Sequence, residues 1–390
     1  MSPEDIAIFY DADYATQKGG AQKRLFQLGK LATKPPGRIY WVAFKFWKGP
    51  SCFFVQEGIH YLGILPKPKF YSKGGERTKR EPILYLINVI LMLPFWIRKP
   101  RFVVGQWPLV HIPLVLTLSR LLRKRVVVEW WETWGRYWQE ERKSRLGFLL
   151  EKFCIWCFSA LKVDVVTDCV EEVEKLKTVN NKVQVSICEN GVSLSDFPDP
   201  NRPQKSPVVV SLGRLKSHKR IDLIIRAICI LNKDRIGDAI ELKIIGDGPE
   251  RSNLIELSRT LNGNTFIHFL GLVEPYSRVV EELSSSWCGI LATVAGGAGN
   301  VTAREYMAAG LPVVAVINKD IGLSKTLVEE GKTGLMVEEP DVTLVAESLK
   351  SLIFDEPLMK EMRQTLIDRR QSLDWKVTLS EHPILTAVAA

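Results

Sequence analysis

Short apolar runs, punctuated by glycine, serine and aspartate, alternate along this chain with longer stretches whose apolar residues recur every third or fourth position. The first pattern predicts buried strands and the second amphipathic helices. Strands are expected in the first half near Ile6–Tyr10, Ile39–Phe44, Phe102–Val104, Val126–Glu129, Val163–Val166 and Val183–Ile187. In the second half they are expected at Val208–Leu212, Leu242–Ile245, Phe266–Leu270, Gly289–Ala292, Val313–Val316 and Gly334–Val337, with helices between them such as Asp222–Leu231 and Val342–Phe354. Strand and helix in repeated succession imply parallel sheets, so the expected class is α/β with two Rossmann-like, doubly wound domains. Ser193–Pro207 is rich in Ser, Asp and Pro and reads as the break between them. The expected division is residues 1–195, a linker at 196–207, a second domain at 208–370 and a terminal segment at 371–390.

One run departs from the alternation. Ile83–Ile97 is almost unbroken apolar sequence flanked by Lys79, Arg80, Arg98, Lys99 and Arg101. It is shorter than the roughly 20 residues a bilayer span needs. Two readings stay open: a core helix ended by Pro94, or an interfacial helix with its basic ends on headgroups.

Composition changes this picture little, but charge changes it more. At 390 residues, 46% hydrophobic and 25% charged, the chain has the balance of a globular protein with large cores, which excludes disordered and fibrous classes. No apolar leader opens the sequence, which predicts a cytoplasmic location. The seven cysteines form no disulfide or ligand framework, and Cys154 and Cys157 read as buried thiols of a helix over Phe148–Leu161. Residues 1–200 carry 30 Lys and Arg against 20 Asp and Glu, whereas residues 201–390 carry 23 against 24, so the net +9 belongs to the first half. Residues 18–125 hold 21 basic and 3 acidic side chains, which suits a peripheral position on an anionic membrane. No helix-turn-helix, zinc-finger or RNP signature accompanies that charge, and nucleic acid is not an expected partner.

The candidate chemistry sits in glycine clusters that follow strands. Gly213-Arg214-Leu215 with Lys219, Ile245-Gly246-Asp247-Gly248-Pro249, and Gly296-Gly297-Ala298-Gly299-Asn300 leading to Glu305 each lie between an apolar run and an amphipathic one. In that order backbone N–H groups and a helix N-terminus can receive phosphate, and Arg214 and Lys219 add fixed positive charge. The pattern fits a nucleotide diphosphate.

The same residues, in this order, resemble the GT-B-fold retaining glycosyltransferases of the large family 4 type, the group 1 glycosyltransferases. Gly19-Gly20-Ala21-Gln22-Lys23-Arg24 resembles the family's acceptor-side glycine loop, and Val185–Val192 its Asn-Gly-Val turn. Gly-Arg-Leu with Lys219 resembles the diphosphate-binding pair, and Ala303–Val314 the signature helix and strand. The resemblance implies two domains facing a cleft, a UDP- or GDP-linked sugar as donor, a glycan or lipid-linked acceptor, and no cofactor or metal. It casts Arg214 and Lys219 as the catalytic charges on the departing diphosphate, and Glu305 as acceptor of hydrogen bonds from the ribose hydroxyls. Gly213, Gly246, Val273, Gly297, Ala298, Gly299, Asn300 and Val301 complete the donor set, with Gly19, Gly20, Glu129 and Glu132 on the acceptor side. The terminal segment around Trp375 is expected to cross back to the first domain.

Three positions depart from the family pattern. Arg220 follows the lysine where glycine is usual, Gly297 stands where a sugar-contacting glutamate is usual, and none of the five histidines falls at the strand end Val128–Trp138. Gly297 motivates an alternative, a GT-B-like protein that binds nucleotide sugar or glycan without turnover. The four tryptophans of that strand end can stack on sugars, line a lipid groove or pack a core. Asp11 and Asp13 read as a strand-end turn rather than a metal-binding pair and His111 as a core residue, while for His218, beside Lys219, contact with phosphate is the lesser of two open readings.

Overall fold

The computed structural model describes residues 5–16, 19–70, 78, 80–135, 137–140, 144–200, 207–233, 235, 237–293, 301–317 and 328–389. The chain divides into two units, one comprising Met1–Glu189 with Thr378–Ala390, the other Asn190–Val377.

The first unit is built on eight strands: β1 Ile6–Phe9, β2 Ile39–Val42, β3 Phe53–Gln56, β4 Ile59–Leu62, β5 Arg101–Gly105, β6 Arg125–Glu129, β7 Asp164–Thr167 and β8 Val185–Ile187. Their order is β3-β4-β2-β1-β5-β6-β7-β8, parallel except for the β3/β4 hairpin. The central strands β1 and β5 are buried throughout, as helices on both faces of a parallel sheet require. The hairpin was not expected from the pattern. Its turn, Glu57-Gly58, takes positive φ at both residues (51° and 76°), the twist that two-residue hairpins favour. β3 is an edge strand with Phe53 and Val55 largely exposed, so it lacks the inward alternation that marks a half-buried strand.

The second unit holds β9 Val208–Leu212, β10 Glu241–Ile245, β11 Ile267–Gly271, β12 Cys288–Leu291, β13 Val313–Val316 and β14 Gly334–Val337, all parallel, in the order β11-β10-β9-β12-β13-β14. Its core is aliphatic: helices Ile221–Asn232 and Val342–Phe354 pack Ile224, Ile225, Ile228, Val345, Leu349 and Leu352 over the sheet at near-zero exposure. All twelve expected strands are present within a residue or two. The α/β reading with two parallel sheets holds.

The apolar run after β4 is divided differently from expectation. It forms helix Glu81–Leu91 and a short helix Leu93–Trp96, with the break at Met92 and Pro94 in the first turn of the second helix. Proline has no N–H to donate to the carbonyl four residues back, so the first helix stops before it. Tyr85, Asn88, Val89, Met92 and Trp96 are buried, while Ile83, Ile87, Ile90, Leu91 and Phe95 face solvent. The segment is a core helix on one face and an exposed apolar surface on the other.

The expected linker begins inside the second unit. Val192 exchanges backbone hydrogen bonds with Leu373 and Trp375 (2.9 and 3.1 Å), Phe197 is buried, and the Arg370 guanidinium donates to the carbonyls of Phe197 and Pro198. Residues 201–206 lie outside the described residues. From Thr378 onward the chain belongs to the first unit, where helix Pro383–Ala389 packs on helix Gly20–Ala32 and β6.

Candidate functional site

In the second sheet the chain runs from β9 outward through β10 to β11, then returns to the other side of β9 as β12. The reversal opens a crevice at the carboxyl ends of β9 and β12, the usual ligand position in open α/β sheets. Ser211, Leu212, Gly213, Arg214, Lys219, Leu291, Ala292 and Thr293 line it.

Each of these residues is held by its neighbours. Gly213 ends β9 at φ 152°, and its N–H donates to Ile245 O at 2.9 Å. Leu215 N–H donates to Asp247 O at 3.0 Å, so the loops after β9 and β10 lie against each other. A Cβ on Gly246 would stand 1.9 Å from the Gly213 carbonyl oxygen, and one on Gly248 would stand 2.3 Å from that of Leu215. Those two glycines are required by backbone-on-backbone packing, which accounts for Gly246 without a ligand. Lys219 closes a short 3₁₀ turn, Ser217–Lys219, and its ammonium donates to Thr293 Oγ1 at 3.3 Å. The side chain of Arg214 is exposed at the rim.

Arg220 explains its own departure from the glycine usual there. It adopts φ 47°, the left-handed conformation glycine takes most readily, and caps helix Ile221–Asn232 while pairing with Asp222 at 3.0 Å. The backbone geometry is retained and only its occupant has changed. His218 is pushed down to about 4 by burial and by Lys219, Lys216 and Arg214. It is neutral at pH 7, so toward a phosphate it offers an N–H rather than a charge.

Glu305 lies on helix Val301–Ala308, almost buried, and accepts a hydrogen bond from the Tyr276 hydroxyl at 2.7 Å. The next residue, Tyr306, accepts from Leu212 N–H at 2.7 Å and fills the space over Gly289, fixing the helix to the end of β9. Val273 packs among the core residues near Tyr276. Tyr276 was not singled out in the sequence. Its place five residues after the end of β11 carries no distinguishing signal. Gly297, Ala298, Gly299 and Asn300 lie outside the described residues. Among the described residues no group of three His, Cys, Asp or Glu side chains could hold a metal ion.

In the first unit the strand-end residues have different surroundings. Gly19 caps helix Gly20–Ala32 through Lys23 N–H to Gly19 O (2.9 Å). Asp13 accepts from Thr16 N–H (2.6 Å) and Lys67 Nζ (2.6 Å), a closed turn after β1. Glu129, expected toward sugar hydroxyls, is fully buried. It accepts from Arg24 Nε at 2.7 Å, His382 Nε2 at 3.0 Å and Trp131 Nε1 at 3.2 Å. This placement corrects the acceptor-side assignment: its hydrogen-bonding capacity is spent inside the unit. Glu132 is more open, and burial raises its carboxyl above the ordinary range.

The tryptophan loop after β6 is held by acids the sequence reading passed over. Glu151 accepts from the N–H groups of Trp134 (3.0 Å) and Gly135 (2.8 Å), and Glu172 from Thr133 N–H (2.7 Å). Gln106 Oε1 accepts from Trp131 and Glu132 N–H at 2.9 and 3.0 Å. Trp107, Trp134 and Trp138 cluster with their rings tilted on one another, centroids 4.7 to 5.7 Å apart. His111 is buried and lowered to about 4 by desolvation, a core histidine as expected. Cys154 and Cys157 are buried thiols.

Residues 193–369 match the family model of glycosyl transferases group 1. An exopolysaccharide phosphotransferase of Streptomyces coelicolor is 32% identical over 42% of this chain and 17% of its own length. A lipopolysaccharide core biosynthesis glycosyltransferase of Rhizobium meliloti is 26% identical over 57% of this chain and 60% of its own. The matches thus span less than two thirds of these curated relatives. Among solved structures, sucrose-phosphate synthase from Thermosynechococcus elongatus superposes with TM-score 0.78 at 17% identity, covering 99% of each chain. Anabaena HepE in complex with UDP and glucose gives 0.69 at 14%, covering 98% of each. Residues 193–369 are therefore a group 1 glycosyltransferase domain, carried on a chain with the GT-B fold of two Rossmann-like parallel-sheet domains.

Proposed function

We propose that the protein transfers a sugar from a nucleotide-diphosphate sugar, UDP- or GDP-linked, to a glycan or lipid-linked acceptor, with retention at the anomeric carbon. The process served is polysaccharide or glycoconjugate biosynthesis on the cytoplasmic face of an anionic membrane. The observation that carries this reading is the convergence of Gly213, Arg214, Lys219 and Thr293 on the β9/β12 crevice of a group 1 domain.

Breaking the bond from sugar to diphosphate places negative charge on the departing oxygens and oxocarbenium character on the sugar. Arg214 and Lys219 supply fixed positive charge where that negative charge grows, a role a metal ion fills in other transferases. The positive charges of Lys219, Lys216 and Arg214, which add to burial in keeping His218 neutral, make the field a diphosphate would enter. Glu305, aligned by Tyr276, is suited to accept from the two ribose hydroxyls. Glu132, Gly19 and Gly20 are the acceptor-side residues in this reading.

Titration calorimetry against a panel of UDP- and GDP-sugars, with sugar release measured in the presence of membrane lipid, tests it. Binding with release is expected, and Glu305→Ala should abolish binding. Unchanged binding by that variant would refute the assignment of the nucleotide site. Gly297, in place of the family's usual glutamate, favours the second reading, a non-catalytic nucleotide-sugar-binding subunit. Binding without release in the presence of every acceptor tried would select that reading.

A further inference from the structure

At the end of the first sheet where β6 and β7 begin, away from the carboxyl strand ends, a cavity of about 620 Å³ is lined by Arg120, Arg123, Lys124, Arg125 and Lys162. The lone carboxylate among the lining residues, Asp164, pairs with Arg125 at 3.6 Å. Among the described residues none of the other four cations has a carboxylate partner.

Two of the four occupy positions that disfavour them. Helices Ile112–Leu121 and Arg145–Ala160 end here in the same turn: Lys124 N–H donates to Ser119 O (2.7 Å), and Val163 N–H to Phe158 O (2.9 Å). This closure puts one residue in the left-handed conformation, where glycine is usual. Here those residues are Arg123 (φ 52°) and Lys162 (φ 49°). The corresponding turn after helix Arg251–Thr260 in the second unit uses Asn262, a residue that tolerates the geometry. Attraction to a helix C-terminal dipole accounts for Arg120 in the last turn of the first helix, but not for strained basic residues beyond the end of both.

Apolar side chains border the cavity. Leu121 (73% exposed) and Leu122 belong to its rim segment, and Trp156 (58%) precedes it by little more than one helical turn. Trp156 continues a stripe with Leu146, Leu149 and Phe153, spaced three and four residues apart, and stacks on Phe153 at 5.8 Å. Right-handed crossovers place helix Glu81–Leu91, with its exposed Ile83, Ile87 and Ile90, in the same layer.

We propose that this cavity receives the phosphate of an anionic phospholipid headgroup, with the exposed face of helix Arg145–Ala160 resting on the bilayer beside it. Unpaired cations match anionic headgroups, and an indole beside them occupies the depth where tryptophan settles at membrane interfaces. A protein partner would have to match the charges as well as the stripe. The proposal rests on, and localises, the membrane reading given above.

The test uses the full chain and flotation with phosphatidylcholine vesicles, with and without phosphatidylglycerol. Wild type should float only with the anionic lipid, and less at high salt. The double variant Arg123→Gly/Lys162→Gly removes both charges while giving each turn its preferred residue, so its melting temperature should hold or rise. Its affinity for anionic vesicles should fall about tenfold or more, and Phe153→Ala/Trp156→Ala should weaken vesicle binding with nucleotide-sugar binding unchanged. Equal flotation of the glycine variant would overturn this site and leave the membrane reading standing; no flotation of wild type would overturn both. Saturation by inorganic phosphate without vesicle binding would show a soluble-anion site instead, and a dimer dispersed by Trp156→Ala would show the face covered by a second copy. Nucleotide-sugar calorimetry on the same samples reports separately on the transferase reading.

Discussion

Removing the charge of Glu129 should destabilise the first unit and loosen its C-terminal segment. Three stretches meet at this carboxylate: helix Gly20–Ala32 through Arg24, β6 itself, and the terminal segment through His382. Burial alone would raise its pKa, but Arg24 and His382 outweigh burial and hold it at about 2, against an ordinary 4.5. At about 1.4 kcal/mol per unit, the displacement corresponds to roughly 3 kcal/mol of native-state stabilisation at neutral pH. The histidine's tautomer follows from geometry: Ile384 N–H donates to Nδ1 at 3.2 Å, so the proton sits on Nε2 and is donated to Glu129. Burial lowers His382, so it serves as a neutral donor while Arg24 provides the charge.

Glu129→Gln keeps the shape and leaves the Arg24 guanidinium buried without its carboxylate partner. The expected loss is about 3 kcal/mol, or a fall in melting temperature of about 6–12 °C for a unit of this size. Hydrogen exchange or limited proteolysis should show residues 378–389 losing protection first. The pH dependence has a definite sign. A depressed carboxyl pKa contributes stability that is complete above 4.5 and is lost as pH falls through about 2. The depressed His382 acts in the same direction, fully contributing above its ordinary 6.5 and failing in acid. The gap between wild type and variant should therefore be complete above pH 4.5 and close as pH falls from there through about 2. A variant that melts within about 1 °C of wild type, or a gap that widens in acid, would refute this account.

Three further outcomes test the second unit. Tyr276→Phe removes one hydrogen bond to Glu305 and should weaken nucleotide binding about five- to tenfold by calorimetry, with stability nearly unchanged. Gly246→Ala drives a methyl into the Gly213 carbonyl and should cost more than about 3 kcal/mol in thermal denaturation, since the obstacle is backbone and cannot rotate away. Arg220→Gly relieves a left-handed arginine but loses its pairing with Asp222; a net change within about 1 kcal/mol of zero is expected, with full nucleotide binding, because the guanidinium is spent on its own helix.

The sheets were legible in the sequence because their strands are buried on both faces and read as continuous apolar runs. The β3/β4 hairpin was not, because an exposed edge strand has no inward face to impose a pattern. The same contrast separates the two ends of the candidate chemistry. In the second unit, the glycines and cations of the β9/β12 crevice lie within a few residues of the strand ends that position them, so spacing along the chain is also spacing in the fold. Lys219 and Thr293 are 74 residues apart, yet each adjoins a strand end, and adjacency of β9 and β12 brings them together.

Glu129 occupies an equally conspicuous strand end, and there local spacing misleads. What decides its role is His382, 253 residues away, arriving on a segment whose docking has no periodic signal of its own. A strand-end acid is free to meet substrate only if nothing buried claims it, and that is a property of tertiary packing. The tryptophans follow the same logic. A cluster of indoles beside a strand end suggests a sugar platform, but Glu151, Glu172 and Gln106 hold the loop's backbone so that Trp107, Trp134 and Trp138 pack against each other. Rigid loop backbone fixed by buried acids is what would hold a neighbouring carboxylate in place. Of the two acids at this strand end, the partly buried Glu132, raised by burial, is thus the one left for acceptor contact beside Gly19 and Gly20, rather than the residue three positions before it.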